Sequence, residues 1–278
     1  GNTLAKIAAE KGGIIKPATP VVTGVRQASA IRVLETMARE REAPLFRLGK
    51  DFRVRRRPDG TFSYFGIANV WHRMRTGLPG SYQVDNAGVV LAACELLNQS
   101  SRVEISLKAI QQGFERRVWP GRLEIVTTNP MVILDGAHNR IAAKNLAAYL
   151  RQTLSDRKIT LVVGILSDKP YRAMLKSLVP ACDRVILTRP QIDRALDPET
   201  LYDAARDLTA EITLKPDVAS ALRYALETAA TDEVICVAGS LYMVGDAKAT
   251  CADGFEPLTL FAFPSSSGGP VGTGGRPA

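Results

Sequence analysis

The sequence has no run of 18 uninterrupted apolar residues, which rules out a helical membrane span. It is poor in metal-ligating and nucleophilic side chains, with two histidines (His72 and His138) and four cysteines in 278 residues. Cys94, Cys182, Cys236 and Cys251 lie far apart and form no CxxC pair. That spacing argues against a zinc ribbon or a disulfide scaffold and suits a reducing, cytoplasmic setting. No G-x-x-x-x-G-K-[ST] phosphate loop occurs, and no G-x-S-x-G elbow that would make a serine a nucleophile. The opening residues, GNTLAKIAAEKGG, are neither a signal nor a transit peptide, and they lack an initiating Met, so the chain reads as cut from a longer one.

What is present is ordinary for a globular protein: 46% hydrophobic and 23% charged residues, with a length that suits two domains. The charge is uneven. Residues 1–121 hold 19 basic and 10 acidic side chains, a net of +9, against 17 and 18, a net of −1, in residues 122–278. The densest basic run, Arg53-Val54-Arg55-Arg56-Arg57, lacks the interleaved aromatics of a nucleic-acid binder. With Pro58-Asp59-Gly60 and Phe62-Ser63-Tyr64-Phe65 behind it, it predicts a β-hairpin with charges on a solvated face, in a field that also suits polyanionic small molecules such as ATP.

Along the chain, Val21-Val22 predicts a short strand, residues 27–42 a helix, and Leu45-Phe46 a return to the sheet. Helices are expected over Val84 to Leu97 and Ser101 to Arg116. Trp119-Pro120-Gly121-Arg122 breaks the pattern, and a βαβ rhythm follows. Strands are expected at Leu123–Val126, Met131–Leu134, Thr160–Ile165, Arg184–Leu187, Ile212–Leu214 and Glu233–Val237. The helices between and after them are expected near 139–154, 170–178, 198–208, 217–229 and 241–249. Such a rhythm favours a mostly parallel α/β sheet covered on both faces, with a ligand at the carboxyl ends of its strands. The tail over 264–278 has too few apolar residues to fold and reads as disordered.

Three loops at those strand ends carry polar signatures: Asp135-Gly136-Ala137-His138-Asn139, Ser167-Asp168-Lys169 and Gly239-Ser240-Leu241-Tyr242. A carboxylate at Asp135, facing a helix N-terminus, can hold a ribose, a metal-bound water or an amine; equally, it can cap the following helix. His138 gains weight because histidine is scarce, whereas His72, among Trp71, Arg73 and Met74, reads as structural. Ser240 at a helix start suits an anion cradle.

The ordered set Gly1-Asn2-Thr3, Glu10-Lys11-Gly12-Gly13-Ile14, Gln83-Val84-Asp85-Asn86-Ala87, Pro120-Gly121-Arg122, Leu134-Asp135-Gly136-Ala137-His138-Asn139, Ser167-Asp168-Lys169 and Gly239-Ser240-Leu241-Tyr242 resembles the folylpolyglutamate synthase/dihydrofolate synthase family of the Mur ligase superfamily. The resemblance runs from Gly1 to about Asp246. It implies that residues 1–121 end a P-loop-type central ATPase domain and that residues 122–263 form a Rossmann-like glutamate-ligase domain. The implied reaction is ATP-dependent: a pteroate or folate carboxylate becomes an acyl phosphate, which the amine of L-glutamate attacks. It implies ATP and Mg2+ as cofactors, a monomeric cytoplasmic enzyme, and neither nucleic acid nor membrane as partner.

Carried over by position, Lys11 matches a lysine carbamylated to bind magnesium. Asn86 matches the adenine contact, Arg122 a phosphate contact and Asp135 a ribose contact. His138, Ser240 and Tyr242 match positions around the incoming glutamate and the reacting centre. Tyr82 stands where the family usually has His, Arg140 where it has Pro, and Pro170 where an acidic residue is common. The resemblance places the phosphate loop and the other magnesium ligands ahead of Gly1, so these residues alone are expected to be inactive, with an open sheet edge in the first unit. The alternatives are a Mur-type ligase of a cell-wall precursor, a non-catalytic nucleotide- or partner-binding remnant, and a nucleic-acid binder using the +9 half.

Overall fold

The computed structural model describes residues 3–100, 103–115, 119–209 and 211–252. The tail expected to be disordered lies outside them. The first helix, α1 (Leu4–Gly12), starts at Thr3, whose hydroxyl accepts from Lys6 N at 3.2 Å. It packs on α2 (Ala28–Glu40) around Ile15, Leu34, Ala38 and Ala43. Gly12 is needed at that contact, because a Cβ there would stand 2.6 Å from Met37 Sδ. Arg41 donates through Nη1 to the carbonyls of Gly12 and Ile15 at 3.1 and 2.7 Å, closing the end of α1 with a cation. Strands β1 (Val21–Thr23) and β2 (Leu45–Arg47) pair in parallel on either side of α2.

The basic hairpin forms as expected from β3 (Arg53–Arg56) and β4 (Phe62–Phe65), and an antiparallel third strand, β5 (Val70–Met74), joins it. The sequence reading missed β5. A register shift between Phe62 and Tyr64, and Arg73 held at φ +56°, spoil the alternation that would have marked it. The inner face of this sheet, with Phe62, Tyr64 and Met74, packs on α3 (Tyr82–Gln99) through Leu91 and Ala92. At the centre of that contact Glu95 is buried. Its carboxylate accepts from the Tyr64 hydroxyl at 2.6 Å and from the amides of Ile67 and Asn69 at 2.8 and 2.6 Å. The β4–β5 turn is thus held by an acid on the helix beneath it.

The next helix starts later than expected: α4 (Leu107–Glu115) begins after Ser106, and 103–106 are not helical. Asn98 explains the late start, since its side chain both donates to and accepts from the Ile105 backbone at 2.9 and 2.8 Å and holds it out of the helix. Ser106 then caps through Oγ, accepting from Ala109 N at 3.1 Å.

The remaining chain forms one six-stranded sheet of order β10-β9-β8-β11-β7-β6. Its strands are β6 (Glu124–Thr128), β7 (Met131–Asp135), β8 (Ile159–Val163), β9 (Arg184–Leu187), β10 (Ile212–Leu214) and β11 (Val234–Ala238), all parallel except β6. Alternate residues serve opposite layers: Ile133, Leu161 and Cys236 face α5 (Arg140–Thr153), α6 (Tyr171–Leu178) and α7 (Pro198–Ala205), whereas Leu134, Val162 and Val237 face α8 (Val218–Thr228) and α9 (Leu241–Ala252). The Cys236 thiol is pushed well above its ordinary pKa by burial. Because β11 inserts between β7 and β8, the direction of chain winding reverses there, and the carboxyl ends of those three strands lie side by side.

The Glu95 contact yields a first prediction. Glu95→Ala strands the buried Tyr64 hydroxyl and removes the acceptor of two partly buried amides, and should cost about 2–3 kcal/mol. Urea unfolding should show a lower midpoint at an unchanged slope. A loss within the scatter of surface substitutions would remove Glu95 from this role.

Candidate functional site

Asp135 closes β7 and is 5% exposed. It does not cap the following helix: Asn139 does, accepting from Ala142 N at 2.9 Å. Instead the two oxygens of Asp135 accept from the amides of Leu123 and Ala137, both at 2.9 Å. The 121–123 segment is thereby sewn to the 135–139 loop, and Gly136 N adds a bond to Gly121 O at 2.7 Å. The segment is contorted, with Gly121 at φ +67° and Leu123 at φ +48°, a conformation unfavourable to a leucine. Burial pushes the Asp135 carboxyl above its usual range, while the Leu123 and Ala137 amides, Arg122 and His138 oppose that shift.

Arg122 lies against the same loop. Its Nη1 donates to Gly121 O at 3.2 Å, and a Cβ on Gly136 would stand 2.6 Å from it. His138 contacts Gly136 O through Nδ1 at 2.8 Å. A carbonyl only accepts, so Nδ1 carries the proton, and in the neutral ring Nε2 is the acceptor.

The first turn of α3 reaches this loop from the other half of the chain. Tyr82 is half-buried, and its phenol is pushed up first by burial and then by the Asp135 charge, with Arg122 opposing. Asn86 stands four residues on, hence on the same face of α3, exposed, with Nδ2 donating to Gln83 Oε1 at 2.9 Å. Tyr82 therefore lies near Arg122 and Asp135, and Asn86 follows it one turn along α3. Sequence reading noted Tyr82 only for departing from a family pattern; its place beside Asp135 depends on a contact across the chain that no local pattern carries.

At the adjacent strand end Ser240 is 1% exposed, and its Oγ accepts from Met243 N at 3.1 Å, capping α9. That corrects the reading of its hydroxyl as an open anion cradle. Gly239, at φ +117°, lies so close to the Gly164 backbone that a side chain there would collide with it. Tyr242 is 45% exposed, with the Arg194 guanidinium 5.8 Å from its ring centroid. Arg194 also lies 3.8 Å from Asp168, which pairs with Lys169 at 2.6 Å. Asp168, Arg194 and Tyr242 thus form a second polar group. Arg194 was not singled out from the sequence, although the polar loop after β9 was the available signal.

Lys11 stands apart. Its side chain is 77% exposed on α1, with the ammonium 3.9 Å from Glu10. Among the described residues no three His, Cys, Asp or Glu side chains gather where a metal ion could sit. Nor is any described helix long and apolar enough to cross a membrane.

Residues 121–241, which hold the six-stranded sheet with the Asp135 and Ser240 loops, match the family model "Mur ligase, glutamate ligase domain". The chain is 33% identical over 252 residues to dihydrofolate synthase/folylpolyglutamate synthase of Bacillus subtilis, covering 89% of this chain and 58% of that protein. It is 31% identical to folylpolyglutamate synthase of Lacticaseibacillus casei, covering 91% of this chain and 59% of that one. The solved Mycobacterium tuberculosis folylpolyglutamate synthase complexed with ADP superposes with a TM-score of 0.81 at 28% identity, over 93% of this chain and 61% of that chain. A Yersinia pestis relative, 27% identical with a TM-score of 0.77, was solved with AMPPNP and a manganese ion; the match covers 91% of this chain and 57% of that one. Along about nine-tenths of its length this chain is similar to folylpolyglutamate and dihydrofolate synthases. It spans about three-fifths of the length of the relatives it matches.

A pH test isolates Asp135. Because folding raises its pKa, ionisation costs native stability; the cost is absent below the unfolded pKa and grows as pH rises through the native one. Asp135→Asn removes that pH-dependent part. The stability of wild type relative to the variant should therefore fall with rising pH across this window in urea unfolding. A pH-independent difference would show that Asp135 keeps its ordinary titration.

Proposed function

We infer that the intact protein is an ATP-dependent amide ligase that joins L-glutamate to dihydropteroate or to a folate (poly)glutamate. The observation carrying this reading is the similarity to such enzymes over 89% of the chain, supported by the start of α3 lying near Arg122 and Asp135 at the edge of the six-stranded sheet. Residues 1–121 are read as the end of the ATPase domain and 122–263 as the ligase domain of a monomeric cytoplasmic enzyme.

The donor set suits a nucleotide. The exposed Asn86 amide offers a donor and an acceptor to an adenine edge, and Arg122 a cation to phosphate. Each Asp135 oxygen keeps a lone pair for a ribose hydroxyl after accepting its amide. ATP would supply the phosphoryl group that converts the substrate carboxylate to an acyl phosphate. On the ligase side, Arg194 with Tyr242 would hold the carboxylates of the incoming glutamate. His138 Nε2 would accept a proton from its amine. Ser240 would act by fixing the start of α9, not as a nucleophile. No step is assigned to Lys11 or to magnesium.

Glutamate incorporation by the intact protein tests the reading. Labelled glutamate should enter dihydropteroate or folate in an ATP-dependent manner. Arg122→Ala should lower kcat/KM by roughly 10- to 100-fold, as expected for losing a charged hydrogen bond to phosphate. Ser240→Ala should cost about 1 kcal/mol of stability and leave activity measurable. Ligation to a nucleotide-linked peptide with none to dihydropteroate would move the assignment to cell-wall ligases. No ligation to any acceptor would make the protein a binding module.

A further inference from the structure

The outward face of the β3-β4-β5 sheet takes no part in the site described above. Strand alternation puts Arg53, Arg55 and Arg57 on it, while Val54, Phe62 and Tyr64 turn inward to α3. Arg55, Arg57, Asp59, Ser63, Phe65 and His72 line an open groove of about 600 Å³ there. Elsewhere in this half arginines find acids: Arg26 and Arg56 both meet Asp85, and Arg47 meets Glu35. Arg53, Arg55 and Arg57 have no carboxylate within 4 Å among the described residues, although Asp59 lies near enough to feel the Arg57 charge. Arg53 and Arg55 on β3 and Arg57 just past its end, of which Arg55 and Arg57 line the groove, stand at alternate positions about 7 Å apart and repel one another unless an anion lies between them.

The floor of the groove is ordered. Ser63 is 2% exposed, and its hydroxyl accepts from Arg57 Nε at 3.3 Å and lies 3.1 Å from His72 Nδ1. The hydroxyl thus ties the Arg57 guanidinium and the His72 ring to one buried point. Arg55, Arg57 and His72 line the groove with a single acid, Asp59, at its edge, an excess of cationic groups that suits an anionic ligand. The ring of Phe65 is covered by Arg53 at 4.9 Å and met edge-on by His72, so no free aromatic face is offered to a nucleobase.

The geometry points to this groove as a binding site for a short, extended polycarboxylate of the oligoglutamyl kind. A γ-linked glutamyl chain carries one carboxylate per five backbone bonds, about 6 Å when extended, close to the repeat of the arginine row. The choice of an oligoglutamyl chain rests on the ligase reading, whose product class it is; the groove and its donors do not.

Isothermal titration of the protein near physiological salt tests the site directly, with γ-linked pentaglutamate, glutamate, tripolyphosphate and a short DNA duplex as probes. Pentaglutamate should bind and glutamate should not. Arg55→Ser, at an exposed position, should weaken pentaglutamate about tenfold with an unchanged melting temperature, as losing one charge-assisted contact implies. Arg206→Ser, which removes the same charge from a distant helix end, should leave binding unchanged. Absence of pentaglutamate binding, or equal binding by the Arg55→Ser protein, would overturn the proposal. Equal or tighter binding of tripolyphosphate or DNA would also overturn it, by reducing the groove to a general anion field. Binding without ligase activity would sink the reaction and keep the site; ligase activity without binding would do the reverse.

Discussion

A carboxylate almost out of reach of water, with a backbone amide on each oxygen, organises the chemically interesting end of this molecule. Taking the Asp135 charge out of solvent is costly, and the amides of Leu123 and Ala137 offset that cost only while both loops keep their shape. Leu123 is thereby held in a left-handed conformation it would not choose, and Arg122 is presented beside the 135–139 loop. His138 takes its orientation from a carbonyl of the same loop. The tightness of the neighbouring strand ends, where Gly239 and Gly164 touch backbone to backbone, gives the second polar group a similarly rigid footing.

Glu95 repeats the device in the other half. There too an acid buried under a loop accepts from consecutive stretches of backbone, and there too a helix or strand supplies the acid and the loop supplies the amides. Neither carboxylate pairs with a lysine or arginine within 4 Å among the described residues. These acids act on chain geometry. The salt bridges lie mostly on exposed surface, where they contribute little.

How much of this was legible in the sequence depends on whether the cause was local. The buried parallel strands read well, with β9 and β10 found to the residue, because a short apolar run between two helical patterns suits little besides a strand inside a covered sheet. β5 was invisible because a bulge destroys its alternation, and α4 began late because Asn98 reaches seven residues ahead to seize Ile105. In the site, Asp135 and His138 stood out by position and scarcity, and Arg122 by its place at the break between the two patterns. The capping duty of Ser240 and the exposure of Lys11 came only with coordinates, as did the arrival of Tyr82 and Arg194 from remote segments. Contacts between distant segments leave no periodic trace.

The cysteine in the middle of the large sheet offers an experimental handle. Cys236 is completely enclosed between β7 and β8 and held in its unreactive protonated form. An alkylating reagent can reach it only when the α5–α7 layer lifts from the sheet or the sheet itself opens. The rate at which that single thiol is modified is therefore an internal clock for opening of this core, readable by mass spectrometry without any engineered label.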